Sequence, residues 1–270
     1  KSRSNMEKLE LPWLEPHAPF PPPESALGDD SPFPGLLAAG GVLDADTLIA
    51  AYSQGIFPWS GPNEPVLWWC THPRMVLVPK NFRLHTSLRK TLHAFIQRHD
   101  AQIRIDTAFD TVMRQCAAPR RGQSGTSITP AILQSYGELH RRGLAHSVET
   151  WVGGQLVGGL YVVALGHAVF GESMFAHQSD ASKIALAALV CLCRMHAVEM
   201  IDCQQQTAHL ARLGASPIPR AAFLQSIQRA QQRPAMRWQF DPSFWNQLLP
   251  PLQAATGASL PNDQIKPANQ

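Results

Sequence analysis

The sequence predicts an α+β (mixed α/β) fold: a mixed, mainly antiparallel sheet flanked by helices, behind a small N-terminal domain. Two observations carry this. The stretch from Leu156 to Gln204 passes from an apolar, glycine-punctuated segment to a helical pattern at Ser182 to Arg194 and then to a β-like run at Val198 to Cys203. That order reads as a hairpin, a crossover helix and a returning strand. Upstream, strand and amphipathic-helix patterns alternate from Ala101 to Arg142, which adds further strands and covering helices to one sheet.

The composition agrees with this class. The 270 residues are 44% hydrophobic and 16% charged, enough for a real core and too apolar for a disordered chain. The formal charge of +3 is small, so a nucleic-acid partner has to be met by a local basic surface. Five cysteines, an odd number in mostly apolar surroundings, read as reduced thiols. The charged N-terminus KSRSNMEKLE lacks the apolar core of a secretory signal, and the apolar run from Leu156 to Phe170 is broken by glycines and His167. It is too short and too interrupted to span a bilayer. These features predict a cytoplasmic protein without a membrane segment.

Taken in order, residues 1–34 are rich in proline and are expected to lie extended over the surface. Gly40 and Gly41 make a turn, Asp44 caps a helix with apolar positions at Leu48, Ile49 and Tyr52, and Gly55 stops it. Trp59, Trp68 and Trp69 then form an aromatic cluster, either core packing or a stacking platform. Thr86 or Ser87 caps a helix whose Leu88, Leu92, Phe95 and Ile96 make an apolar stripe. Its other face shows Arg89 and Lys90, with Arg83 just before it, and no acidic residue occurs from Phe82 to His99. That face is a solvated surface or a contact for phosphates.

A strand at Ala101 to Asp106, a helix over AFDTVMRQCA and a basic glycine-containing loop follow. Next come a helix at Ala131 to Arg142 and a strand at His146 to Val152, turned by Gly153 and Gly154. After the central stretch, helices are expected near Ala208 to Leu213 and Arg220 to Ala230, with Gly214, Pro217 and Pro219 between them. The division expected from these patterns is an extension at 1–19, a small domain at 20–78, a larger domain at 79–249 and a disordered tail at 250–270.

Polar residues fall where the central stretch should be dry: Glu172, Ser173, Asp202 and Gln204. On a regular strand Asp202 and Gln204 share one face and Cys203 takes the other. An amide cannot take a proton outright near neutral pH, but its oxygen can accept a hydrogen bond from an attacking amine while its NH2 donates to a neighbour. A carboxylate beside it, here Asp202, would orient it, an arrangement suited to aminolysis of an activated ester. Other chemistries fit less well. GESMF lacks the second glycine of a hydrolase nucleophile elbow. Gln155, Gly158 and Gly159 come near the Q-x-x-G-x-G/A loop of acetyl-CoA enzymes, but Leu160 breaks it. Cys191 and Cys193 point to different helix faces, a poor pair for zinc.

The runs GLLAAGGVL, AYSQGIFPW, PVLWW with HPR, HSVETW, LVGGLY, FGESMF, SDASKIAL, IDCQ and HLARLGASPIPR stand in an order that resembles the leucyl/phenylalanyl-tRNA–protein transferase family over residues 20 to 225. The resemblance implies a GNAT-like catalytic domain that uses no CoA, metal or other cofactor. It implies transfer of Leu or Phe, with Met also open, from aminoacyl-tRNA to proteins with N-terminal Arg or Lys, which marks them for degradation. By position it implies catalytic roles for Gln204, Asp202 and Glu172, and a contact from Trp59 to the terminal adenosine. It also implies an apolar pocket around Leu160, Ser173, Met174, Phe175 and Leu189, and tRNA contacts from Arg83, Arg89 and Lys90. A monomer is expected.

Three positions depart from the family pattern. Ser127 in GTSI replaces a Trp beside the aminoacyl-adenosine site, Cys70, Thr71 and His72 replace the SPD of WWSPDPR, and Val42 replaces the acidic residue of GGDL. Two other readings stay open: a tRNA-binding homologue with weakened transfer, and a small-molecule N-acyltransferase of GNAT type.

Overall fold

The computed structural model describes residues 10–118 and 128–251. Ser127 lies outside the described residues, as does the expected disordered tail from residue 252 onward.

The first part of the chain builds a four-stranded sheet from β1 (Trp13–Leu14), β2 (Leu36–Gly40), β3 (Phe57–Pro58) and β4 (Leu67–Trp69), in the order β1-β2-β4-β3. The proline-rich start is therefore tied in: β1 runs parallel to β2, and Phe20 meets the Trp68 ring edge-on at 4.9 Å. Helix α1 (Ala45–Ser53) begins as its sequence requires, with the Asp44 carboxylate accepting from the Thr47 N–H at 2.8 Å.

The remaining strands form a seven-stranded sheet. They are β5 (Arg74–Leu77), β6 (Ala101–Ile105), β7 (Ala145–Val152), β8 (Gln155–Leu165), β9 (Ala168–Ala176), β10 (Ile201–Gln204) and β11 (Ser216–Ile218). Their order is β11-β5-β10-β9-β8-β7-β6, and every neighbouring pair is antiparallel except β9 with β10. The parallel pair is the one that needs a crossover, and α5 (Ala181–Met195) supplies it. The hairpin, helix and returning strand of the central stretch are all present. Strand β11 was not expected from a segment holding two prolines; it survives as a three-residue strand at the sheet edge. Strand β5 lies in the large sheet, so the chain changes sheets between Trp69 and Arg74.

Helices α2 (Thr86–Gln97), α3 (Phe109–Ala117), α4 (Pro130–Arg141), α6 (Ala208–Arg212) and α7 (Arg220–Gln231) complete the fold. No side chain caps α2; His85 holds the cap position, not Thr86 or Ser87. Side-chain alternation along β8 feeds two cores. Leu160 and Val162 pack with α2 and α5, while Tyr161 and Val163 pack with α3, α4, α7 and the small sheet. The small sheet is thus a cover for one face of the large sheet.

Gly158 explains the close seat of α5. It sits within β8, not in a loop before a helix, so Gln155, Gly158 and Gly159 do not form a pyrophosphate-binding turn. A Cβ on Gly158 would lie 2.5 Å from the Cβ of Ala181 and 2.7 Å from its carbonyl carbon. Gly158→Ala is expected to lower stability by about 1–3 kcal/mol through this overlap, read as a lower urea midpoint at unchanged slope. An unchanged midpoint would contradict the tight packing.

Candidate active site

Strand β10 does not continue as a regular strand to its end. Asp202 pairs with Val76 and Gln204 with Met75, so the register slips around Cys203, and Gln204 takes a left-handed backbone with φ of +61°. The expectation that Asp202 and Gln204 share a face is therefore corrected, because the bulge breaks the two-residue period. Asp202 points into the protein, 1% exposed. Its Oδ1 and Oδ2 accept from Nε and Nη2 of Arg74 at 2.8 and 2.7 Å, a two-pronged pair with a guanidinium that is itself 0% exposed.

Oδ1 of Asp202 also accepts from the Gln204 backbone N–H at 2.9 Å, and Thr71 Oγ1 donates to the Gln204 carbonyl at 2.9 Å. A left-handed non-glycine residue costs about 1–3 kcal/mol, and these two bonds hold it there. Asp202 thus acts on the backbone of Gln204, not on its amide as expected. The residue that meets the amide is Glu172, whose Oε1 accepts from Gln204 Nε2 at 3.2 Å.

Glu172 sits on β9 where the β8 register also slips. Tyr52 Oη donates to Glu172 Oε1, and the Tyr52 and Tyr136 hydroxyls are hydrogen-bonded to each other. Tyr161 packs edge-on to Tyr136 with centroids 6.0 Å apart. The chain has only three tyrosines, and all of them gather around this one carboxyl group. Burial pushes the Glu172 carboxyl up to about 8, against the opposing hydrogen bond from Tyr52 and with help from the nearby Asp202 charge. Burial also raises all three phenols well above their usual range.

Above this floor opens a cleft of about 490 Å³. It is walled by Trp59, Ser60 and Glu64 from the β3–β4 loop, Thr129 and Ile132 from the start of α4, and Gln204, Gln205 and Thr207 at and beyond the end of β10. A smaller apolar hollow of about 80 Å³ adjoins it, sharing Tyr161, Glu172, Ser173, Cys203 and Leu210.

Of the residues singled out in the sequence, Glu172, Gln204, Trp59 and Ser173 line the main cleft, and Leu160, Glu172, Ser173, Met174, Leu189 and Asp202 line the hollow. Phe175 lines neither. It is buried in the core beside Gly159, a Cβ on which would stand 3.3 Å from the ring. Ser127 lies outside the described residues. Arg83, Arg89 and Lys90 are exposed at and before the start of α2 and line neither cavity. As site residues, Arg74, Thr71 and all three tyrosines escape the sequence reading, which takes Tyr52 only as an apolar helix position. A Tyr in place of Phe on an apolar face needs a partner for its hydroxyl, and that was the available signal.

Two of the departures from the family pattern have structural partners. Thr71 holds the Gln204 carbonyl, and Nδ1 of His72 accepts from the Arg220 N–H at 3.1 Å, capping α7. None of the five cysteines is in a disulfide, and burial pushes the Cys203 thiol up to about 12. Among the described residues no group of three or more His, Cys, Asp or Glu side chains could hold a metal, and no helix is long and apolar enough to cross a membrane.

A family profile described as leucyl/phenylalanyl-tRNA protein transferase matches residues 76–228, and the profile of that family's N-terminal domain matches residues 41–72. A leucyl/phenylalanyl-tRNA–protein transferase of Albidiferax ferrireducens is 58% identical over 91% of this chain and 97% of its own. This chain belongs to the leucyl/phenylalanyl-tRNA protein transferase family. A second relative of that name, from a Polaromonas species, is 57% identical over 88% of this chain and 94% of its own. A solved structure of a functionally unknown conserved protein from Staphylococcus epidermidis aligns over 54% of this chain and 57% of its own. At 13% identity and a TM-score of 0.35, the similarity is too low to assign a fold. The N-terminal profile of the leucyl/phenylalanyl-tRNA protein transferase family ends at residue 72, in the link where the chain passes from the small sheet to the large one, and the other begins at residue 76, within β5.

The raised Glu172 carboxyl gives a stability prediction with a definite sign. The folded state keeps a proton that the unfolded chain releases near 4.5, so the contribution is fully present below that pH. It is lost as pH rises to about 8. Urea midpoints measured across this window should fall with pH for the parent protein and fall less for Glu172→Gln. Parallel curves would place the carboxyl's titration elsewhere.

Proposed function

We propose that this chain transfers a large apolar amino acid, Leu, Phe or Met, from aminoacyl-tRNA to the α-amino group of proteins that begin with Arg or Lys, marking them for degradation. The observation that carries the reading is the Gln204 amide. Its Nε2 is committed to Glu172, which leaves Oε1 for an incoming N–H at the wall of an open cleft. The hollow lined by Leu160, Met174 and Leu189 is suited to the donor side chain, and Trp59, 50% exposed, to the terminal adenine. Phosphates of the tRNA body would meet Arg83, Arg89 and Lys90 on the basic face of α2.

The chemistry is aminolysis. The amine nitrogen attacks the ester carbonyl, a C–N bond forms, the bond to the terminal ribose oxygen breaks, and a proton passes overall from the amine to that oxygen. The ester is already activated, so alignment supplies much of the rate and no resident cofactor is required. Gln204 orients the lone pair by accepting from the amine. Glu172 and Tyr52 fix the amide in turn, and a carboxyl that keeps its proton to about pH 8 can still accept at Oε1. Asp202 positions Gln204 through its backbone.

The larger sheet, with its one parallel pair bridged by α5, supports a GNAT-like catalytic domain that begins with β5 at Arg74, ahead of the expected boundary at residue 79. The small sheet would then form the N-terminal domain, and because β1 pairs with β2 that domain takes in part of the expected extension at 1–19. We further infer a monomer acting in the cytoplasm.

Incubation with Leu-tRNA and a peptide starting with Arg should yield leucylated peptide. Gln204→Ala should lower single-turnover transfer about 10- to 100-fold and leave tRNA affinity within about twofold. No product from wild-type protein beside an active control would sink the reading. Retained salt-sensitive tRNA binding in that case would select the transfer-deficient homologue instead.

A further inference from the structure

The proposed chemistry leaves one charged group of the cleft without a role. Among the described residues, the cleft lining contains no lysine, arginine, histidine or aspartate; its carboxyl groups are half-buried Glu172 and exposed Glu64. Among the described residues Glu64 is therefore the exposed charge that an incoming cation meets in the cleft.

Glu64 is held in place by its own loop. Gly61 N–H donates to Glu64 Oε2 at 2.7 Å, and Glu64 N–H donates to the Gly61 carbonyl at 3.3 Å. Asn63 takes the left-handed conformation, φ +62°, that turns the chain between them. A Cβ on Gly61 would come 3.2 Å from the Glu64 carboxyl carbon, so the missing side chain makes room for the carboxylate. The loop is pinned to β4 in turn, with Trp59 N–H donating to the Leu67 carbonyl at 3.0 Å and Leu67 N–H to Ser60 Oγ at 2.9 Å. Oε1 of Glu64 has no hydrogen-bond partner among the described residues.

We propose that Glu64 is the specificity-determining residue for the acceptor: its carboxylate receives the cationic side chain of the acceptor's N-terminal residue while the α-amine rests against Gln204. This rests on the reading of the cleft as a transferase site. Glu172 is the poorer receptor, since its Oε1 already accepts from Tyr52 and Gln204 and a cation would have to shed water to reach it. Glu64 lets an ammonium or guanidinium keep part of its hydration, and its exposure means the gain is moderate.

The test uses full-length protein, Leu-tRNA and peptides identical except for an N-terminal Arg or citrulline, the uncharged near-isostere of Arg. Wild-type kcat/KM should favour Arg over citrulline about five- to tenfold. Glu64→Gln should bring that ratio to about one by raising KM for the Arg peptide, with kcat and the KM for Leu-tRNA unchanged. Glu64→Lys should go further and favour a peptide beginning with Glu over one beginning with Arg. A ratio that Glu64→Gln leaves intact overturns the assignment. So does a rise in the Leu-tRNA KM instead, which would put Glu64 on the donor's ribose. Transfer to neither peptide by wild-type protein refutes the transferase reading itself, a different result from transfer that is blind to Glu64.

Discussion

The buried pair between Arg74 and Asp202 is the constraint around which the molecule is arranged. Arg74 is the first residue of β5 and Asp202 the second of β10, so their two-pronged contact fixes neighbouring strands of the large sheet. The same guanidinium donates to the Gly55 carbonyl at 2.8 Å and lies over the rings of Phe57 and Phe223, 4.8 and 4.4 Å from their centroids. One side chain thereby joins the small sheet, the large sheet and α7. Two charges taken out of water cost several kcal/mol each, and the pair persists because the guanidinium and carboxylate make several hydrogen bonds at once. Removing either partner strands the other and costs about 3–5 kcal/mol.

The pair reaches the chemistry through a single bond. By accepting from the Gln204 backbone, Asp202 helps hold the left-handed turn that ends β10 and aims the carboxamide at Glu172. Around Glu172 the structure keeps half-buried polar groups mutually satisfied, with one carboxyl shared by a phenol and an amide. Such a floor is rigid because none of its members can swing away without leaving a buried donor or acceptor unmade. The cleft above is open and polar on one side and adjoins an apolar hollow on the other, which is the asymmetry that an aminoacyl ester and a peptide amine would need.

Much of the fold was legible because its signals are local. Asp44 capping α1, the glycine turn between β7 and β8, and the apolar run through α5 are each written within a few residues. The site was legible in membership more than in geometry. Glu172, Ser173 and Gln204 stood out as polar residues in an apolar stretch, and they do line one cavity. The partners did not stand out, since Arg74 lies 128 residues from Asp202 and Tyr52 lies 120 from Glu172. No periodicity pairs residues so distant. The alternation rule placed Asp202 beside the Gln204 amide and failed because a bulge is set by tertiary contacts, here Arg74 below and Thr71 beside. Phe175 belongs to the opposite core from Met174, as the alternation of neighbouring strand residues requires; grouping the two in one pocket overlooked that rule.

The most direct test of the account is a double-mutant cycle on single-turnover transfer, with Asp202→Ala, Gln204→Ala and the combined variant, each verified as folded by its unfolding transition. If Asp202 acts by holding Gln204 in position, the double variant should be no slower than the slower single variant, giving strong non-additivity. Losses that multiply would mean that the two residues act independently, and the central role given to the buried pair would be wrong.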